Sequence, residues 1–188
     1  GYGLGHSERV MGGALQGHRK EVVIVTKCGL AWNEEAQRVE RKGTREHVLE
    51  STEASLRNLD TDYIDLMLIH GPDRWTPFAE TMGALEELQK AGKIRYAGVS
   101  NFLPEMMDEC RRHLKLVTNQ MGYSLLDRRI ERDILGYCGE NAMGIMTYGS
   151  LAHGLLAGNM TAATDFEETD WRASGNAFGL PLFRKGGH

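Results

Sequence analysis

Five short apolar runs punctuate the chain, at 22–26, 63–69, 95–99, 116–119 and 145–148, and each has the length of a β-strand. Between them the apolar residues switch to helical spacing. Thr44-Arg45-Glu46-His47 opens a segment running to Asn58, with Val48, Leu49, Thr52, Leu56 and Leu59 three and four positions apart. Thr76-Pro77 starts a second helix that turns Met82, Leu85 and Leu88 inward and is stopped by Ala91-Gly92. Pro104 opens a third, reaching His113, and 129–140 reads as a fourth. Ahead of the first strand, a glycine-flanked tyrosine in Gly1-Tyr2-Gly3-Leu4-Gly5-His6-Ser7-Glu8 precedes another helix, for which Ser7 is the expected cap. The strand centres recur about every 30 residues, the size of a βαβ unit. The runs at 22–26 and 64–69 are almost continuously apolar, as a parallel strand covered on both faces must be. The pattern therefore predicts a parallel α/β protein, and at this level a barrel and an open doubly wound sheet satisfy it equally. No linker or low-complexity stretch divides residues 1–188, so one domain is expected, with an irregular tail over 161–188.

Composition narrows the function classes. Hydrophobic residues make up 41% of the 188, enough to build a core and to argue against disorder. The 22 basic and 26 acidic side chains are interspersed and leave a net charge of −4, which points away from nucleic acid and from anionic membrane surfaces. No apolar run approaches the roughly 20 residues of a membrane span. Cys28, Cys110 and Cys138 are an odd set without metal-ligand or redox spacing, so a reduced, cytoplasmic protein without a metal site is expected. Cys28 reads as a small buried thiol.

In a parallel α/β fold, functional residues gather just past the carboxyl ends of the strands. At those ends stand Lys27, His70, Ser100-Asn101, Gln120, and Tyr148 with Gly149 and Ser150, all following apolar runs. Lys27 follows a buried strand, where an ammonium needs a carboxylate or phenol as partner. His70 is placed to exchange hydrogen bonds at a site rim. Asp73, after Pro72, reads as a turn or helix-start residue. The opening glycines contain no complete G-x-G-x-x-G, so a Rossmann phosphate loop is not supported. Trp32 and Trp75 are open to both pocket lining and loop packing; Met82, Met106, Met107 and Met121 read as core fillers, and Arg41-Lys42 and Arg111-Arg112 as solvated faces.

With these residues in view, the chain resembles the aldo-keto reductases. The likeness is carried by Gly1-Tyr2-Gly3-x-Gly5-x-Ser7-Glu8, by Val25-Thr26-Lys27, and by Leu56-Arg57-x-Leu59-x-Thr61-Asp62-Tyr63-Ile64-Asp65-Leu66. It continues through Ile69-His70-x-Pro72-Asp73, Ala91-Gly92-Lys93-Ile94-Arg95, Gly98-Val99-Ser100-Asn101-Phe102, Gln120, Tyr123-Ser124-Leu125 and Tyr148-Gly149-Ser150-Leu151-Ala152-x-Gly154-Leu155-Leu156-x-Gly158. The wording around Tyr148 and Asp170-Trp171-Arg172 looks most like the bacterial branch grouped with general-stress and inositol-operon proteins.

The resemblance implies a (β/α)8 TIM barrel that reduces aldehydes and ketones with NADPH and without metal. It casts Tyr2 as the proton donor to the carbonyl oxygen, Lys27 as the cation that favours the phenolate, and His70 as the group that orients the carbonyl. Ser100, Asn101 and Gln120 would hold the nicotinamide carboxamide, Tyr148 would stack on its ring, and the backbone of Gly149, Ser150 and Leu151 would approach the pyrophosphate. Against the family pattern, the chain reads as about strands 3 to 7 of the barrel, without the acid expected ahead of Tyr2 or the loop expected to grip the 2′-phosphate. Gly71 stands where many relatives carry Trp, implying a more open substrate wall, and His153 where close relatives often carry Arg. The partner implied is a small carbonyl compound. Two other readings stand beside this one. The first is an NADPH-binding relative or incompetent fragment with little turnover; the second is an aldolase using Lys27 as a Schiff-base lysine.

Overall fold

The computed structural model describes residues 3, 5–161 and 163–183. Seven strands and five α-helices follow in chain order: α1 (His6–Ala14), β1 (Val25–Cys28), β2 (Leu30–Asn33), β3 (Arg38–Arg41), α2 (Arg45–Leu59), β4 (Ile64–Ile69), α3 (Phe78–Lys90), β5 (Ile94–Ser100), α4 (Pro104–Arg111), β6 (Leu116–Gly122), α5 (Ile134–Glu140) and β7 (Gly144–Tyr148). Five strands form one sheet in the order β1-β4-β5-β6-β7, with every pairing parallel. The parallel α/β arrangement expected from the sequence is what the sheet shows, with helices alternating between its strands. β4 is buried along almost its whole length, whereas β7 at the sheet's edge is mostly half-buried or exposed. Val48, Leu56 and Leu59 of α2 and Met82, Leu85 and Leu88 of α3 carry the helical spacing into the core. Met82 and Met107 fill that core. Among the described residues, no helix is long and apolar enough to cross a membrane.

The amino ends of the strands are held by charge. Asp65 of β4 is buried and accepts hydrogen bonds from Arg19 (2.8 Å), Arg95 (3.0 Å) and the Ile24 backbone N–H (3.0 Å). Both guanidinium groups also lie over the Tyr63 ring, 3.8 and 4.0 Å from its centroid. Burial alone would raise the Asp65 carboxyl, but these donors outweigh it and hold the group below its ordinary value.

Four local features depart from the sequence pattern. The first strand begins at Val25, not Val22, because the Asp65 carboxylate takes the Ile24 N–H and Val23 is 74% exposed. Lys27 consequently sits inside β1, opposite Leu68, instead of past the strand's end. Gly29, at φ 88°, then turns the chain into an antiparallel hairpin, β2 against β3, where no strands were expected. Its turn is closed by Asn33, whose side-chain oxygen accepts from Ala36 N at 2.9 Å, and by Gln37 at φ 48°.

The segment 129–140 divides into a 3-10 turn, Arg129–Glu131, and α5, because Asp133 at φ −145° breaks the helix. α1 begins at His6 after a left-handed Gly5, so Ser7 lies within the helix and does not cap it. Over 163–183 the described residues form a 3-10 turn at Trp171–Ser174 and an isolated bridge between Ala177 and Leu180.

Gly98 marks the tightest approach in the sheet. A Cβ there would lie 2.7 Å from Leu68 Cδ2, 2.7 Å from Thr118 Cγ2 and 2.9 Å from the Thr118 carbonyl oxygen. Gly98→Ala is expected to lower stability by about 1–3 kcal/mol, read as a lower urea midpoint at unchanged slope.

Candidate functional site

Parallel pairing brings the carboxyl ends of the five strands to one rim. Ser100 stands opposite Gln120 in the β5–β6 ladder, and the side chains next to this pair form a continuous hydrogen-bond network. The Ser100 hydroxyl donates to the Gln120 carbonyl at 3.0 Å, and the Asn101 backbone N–H donates to the same oxygen at 3.0 Å. That double hold keeps Asn101 in a left-handed conformation, φ 62°. There its amide donates to Ser100 Oγ (3.1 Å) and to the His70 carbonyl (3.5 Å), while its oxygen accepts from the Tyr148 hydroxyl at 2.8 Å. Asn119, fully buried, donates to the Phe102 carbonyl at 2.9 Å and steadies the turn from beneath. Asn and not another residue suits position 101, since it tolerates the left-handed region and uses both ends of its amide.

His70 stands where two cavities meet. The larger, about 660 Å³, is lined by His70, Asn101 and Tyr148 together with Arg41, Arg129 and Phe178. The smaller, about 200 Å³, runs from His70 past Lys27 and Thr26 to Gly5, Ser7 and Glu8 of the first helical segment. Glu8 fixes that helix against the sheet by accepting from Thr26 Oγ1 (2.8 Å) and Asn58 Nδ2 (3.0 Å). Burial, then the positive charge of Lys27 and, more weakly, other cations including Arg41, push the His70 imidazole from 6.5 down to about 4. At neutral pH it is uncharged, so one ring nitrogen donates and the other accepts.

Of the residues expected from the sequence, Lys27, His70, Ser100, Asn101, Gln120 and Tyr148 lie at this rim. Ser100 is buried behind the cavity wall, and Gln120 is half-buried with no side-chain hydrogen bond among the described residues. Gly149 turns the chain away at φ 64°, leaving Ser150 and Leu151 exposed beside the rim and outside the lining of the large cavity. Tyr2, the expected proton donor, lies outside the described residues. His153 stacks on Phe178 (centroids 5.0 Å) and meets the edge of Trp171 (5.1 Å), so it packs under the tail. Burial and then Arg172 lower its pKa.

Three wall residues carried no signal strong enough to find them. Arg41 read as a solvated charge, yet it lines the large cavity and donates to the Pro72 carbonyl at 3.3 Å. Phe178, in the irregular tail, covers Tyr148 edge-on at 5.4 Å. Arg129 is clamped by Asp127 at 2.8 Å through two nitrogens and reaches the Phe178 carbonyl at 3.0 Å. The alternation Leu30-Ala31-Trp32-Asn33 before Arg38-Val39-Glu40-Arg41 was the available clue to the hairpin.

Trp32 and Trp75 are both exposed and line neither of the two cavities that meet at His70. Burial pushes the Cys28 thiol up to about 12, which makes it an inert core group. Asp73 is structural: its carboxylate accepts from Gly43 N (2.8 Å), Trp75 N (3.0 Å) and Thr76 Oγ1 (2.7 Å). Among the described residues, no group of three or more His, Cys, Asp or Glu side chains is placed to hold a metal ion.

Comparison with known proteins supplies a frame for this geometry. Residues 1–185 match the sequence profile of the Aldo/keto reductase family. The chain is 41% identical over 186 residues to the aldo-keto reductase YhdN of Bacillus subtilis (strain 168), covering 98% of this chain and 56% of that protein. It is 36% identical over 173 residues to the NADH-specific methylglyoxal reductase of Escherichia coli (strain K12), covering 86% of this chain and 53% of the relative. Its structure superposes on glycerol dehydrogenase AKR11B4 from Gluconobacter oxydans with a TM-score of 0.88 at 40% identity, covering 97% of this chain and 57% of that one. An aldo/keto reductase from Klebsiella pneumoniae in complex with NADP and acetate gives a TM-score of 0.70 at 34% identity, covering 86% and 54%. The chain thus spans about half the length of the proteins it matches.

Because the folded protein holds His70 neutral, protonation favours the unfolded chain as pH falls below 6.5, and this loss grows until pH about 4. Imidazole NMR should therefore place the His70 midpoint at about 4, with Lys27→Met moving it upward. Tyr148→Phe, which removes the donor to Asn101 Oδ1, should cost about 0.5–1.5 kcal/mol in denaturant unfolding.

Proposed function

The chain belongs to the aldo/keto reductase family, and from that premise we propose that it contributes the rim of a nicotinamide-dependent site that reduces aldehydes and ketones to alcohols. The observation that carries this reading is the convergence on a neutral His70 of two cavities, one bearing Lys27 and the other the Asn101–Tyr148 network. A lysine and an uncharged imidazole beside one cavity are what carbonyl reduction asks of a protein: a cation to ease proton release and a hydrogen-bond donor to hold the carbonyl oxygen.

The cofactor proposed is NADPH, which when bound supplies the hydride to the carbonyl carbon. The donor set fits its carboxamide. Gln120 offers an amide with no side-chain partner among the described residues, beside Asn101, whose own amide is oriented by Ser100 and Tyr148. Gln120 and Asn101 would hold the carboxamide, Tyr148 would present its ring to the nicotinamide, and Gly149 to Leu151 would approach the phosphates with their backbone. NADP is the cofactor bound in the Klebsiella pneumoniae reductase, whereas the Escherichia coli relative is NADH-specific, so the phosphorylated form is part of the proposal.

In this reading His70 donates an N–H to the carbonyl oxygen and fixes the face presented for reduction. Lys27 stabilises the developing phenolate of Tyr2, the group proposed to deliver the proton that completes the alcohol. Phe178 and Tyr148 line the larger cavity beside His70.

NADPH oxidation is expected when methylglyoxal or 4-nitrobenzaldehyde is added and not without a carbonyl compound. Tyr2→Phe should lower kcat by about 100- to 10,000-fold while NADPH still quenches tryptophan fluorescence. Equal loss of cofactor binding and turnover would contradict the proton-donor role.

A further inference from the structure

We propose that Arg41 is a specificity-determining residue of this site, an anion-binding group that selects carbonyl substrates bearing a carboxylate or a phosphate. The proposal rests on the reductase reading above and names its substrate class.

The guanidinium is admitted by the residue next to His70. A Cβ built on Gly71 would lie 2.9 Å from Arg41 Nε, 3.2 Å from Cζ and 3.3 Å from Nη2, so the space beside Gly71 is filled by Arg41. The open wall that a glycine implies at this position is therefore replaced by a positive charge. One guanidinium hydrogen bond, from Nη1 to the Pro72 carbonyl, anchors the group and leaves its other donors available.

Among the described residues no carboxylate pairs with Arg41. The neighbouring acids are already engaged. Glu40 pairs with Arg38 at 2.8 Å, Asp127 with Arg129, Asp73 accepts three hydrogen bonds, and Glu8 is held by Thr26 and Asn58. Arg132 and Asp133 line the same cavity and offset each other in charge. Arg41 is among the positive charges that act on the His70 imidazole. An anion at Arg41 compensates that field.

The approach from solvent has the same sign. Arg41 also lines an outer groove of about 540 Å³, shared with Arg74, Trp75 and the Arg38–Glu40 pair. Trp75 is 95% exposed, and Arg74 has no ion pair among the described residues. The cofactor's phosphates do not account for these groups. They are proposed near Gly149, after β7, whereas the Arg41 guanidinium packs beside Gly71, after β4.

Two substrate pairs test this in the native protein with NADPH: 4-carboxybenzaldehyde against methyl 4-formylbenzoate, and glyceraldehyde 3-phosphate against glyceraldehyde. Arg41→Gln should lower the charged-over-neutral ratio of kcat/KM by about 10- to 100-fold, through KM. Salt should lower the same ratio in the unsubstituted protein and not in the variant. A response confined to one pair identifies the anion as carboxylate or phosphate. Calorimetric binding of benzoate reads the site without turnover and should weaken about 10-fold or more in Arg41→Gln. Unchanged ratios and unchanged benzoate binding would overturn the role of Arg41 and leave the reductase reading standing. If no aldehyde of either pair is reduced, the reductase reading falls and the substrate assignment with it, whatever benzoate does.

Discussion

The site depends on one constraint, the register of a wholly parallel sheet. Because every strand runs the same way, every carboxyl end arrives at the same rim, and the ladder decides which residues arrive together. Cys28 stands opposite Ile69, Ile69 opposite Val99, Ser100 opposite Gln120 and Gly122 opposite Tyr148. A slip of one residue in any pairing would turn that strand's side chains to the other face. His70 would then no longer present its carbonyl to Asn101, and Tyr148 would no longer reach the Asn101 oxygen. The close approach at Gly98 belongs to the same constraint, since β5 nears Leu68 and Thr118 closely enough to leave no room for a side chain.

The two ends of the sheet do different work. At the amino ends Asp65 is buried and fully paired, with Arg19 and Arg95 sandwiching Tyr63. At the carboxyl ends His70 is held neutral, by burial first and then by nearby positive charge. A parallel α/β fold separates these tasks naturally, with stability anchored below and chemistry exposed above.

The walls come from the segments with the least regular structure. The β2–β3 hairpin delivers Arg41 to the space left by Gly71, and the tail delivers Phe178 to the edge of Tyr148. Both are long-range meetings. Arg41 reaches the Pro72 carbonyl 31 positions away, and Arg129 reaches the Phe178 carbonyl 49 positions away. Strand ends thus bring His70, Asn101 and Tyr148 together, and loops supply the wall around them.

Apolar periodicity was sufficient to announce the parallel α/β class, α2, α3 and α4, and the strand ends at His70, Asn101, Gln120 and Tyr148, because burial of a strand or helix face imposes its period on neighbouring residues. The motifs around those ends also made the family legible before any coordinates. Periodicity did not announce where β1 begins, since a carboxylate from β4 takes the Ile24 N–H and no local pattern encodes that partner. It placed a cap at Ser7, which the left-handed Gly5 displaced, and one helix over 129–140, which Asp133 divides. Above all it left Arg41 as one more surface charge. A residue's type and neighbours along the chain report whether it is buried and which backbone shape it favours. Whether its charge is cancelled, and what it faces, depends on groups dozens of residues away, and those distances close only when the sheet assembles.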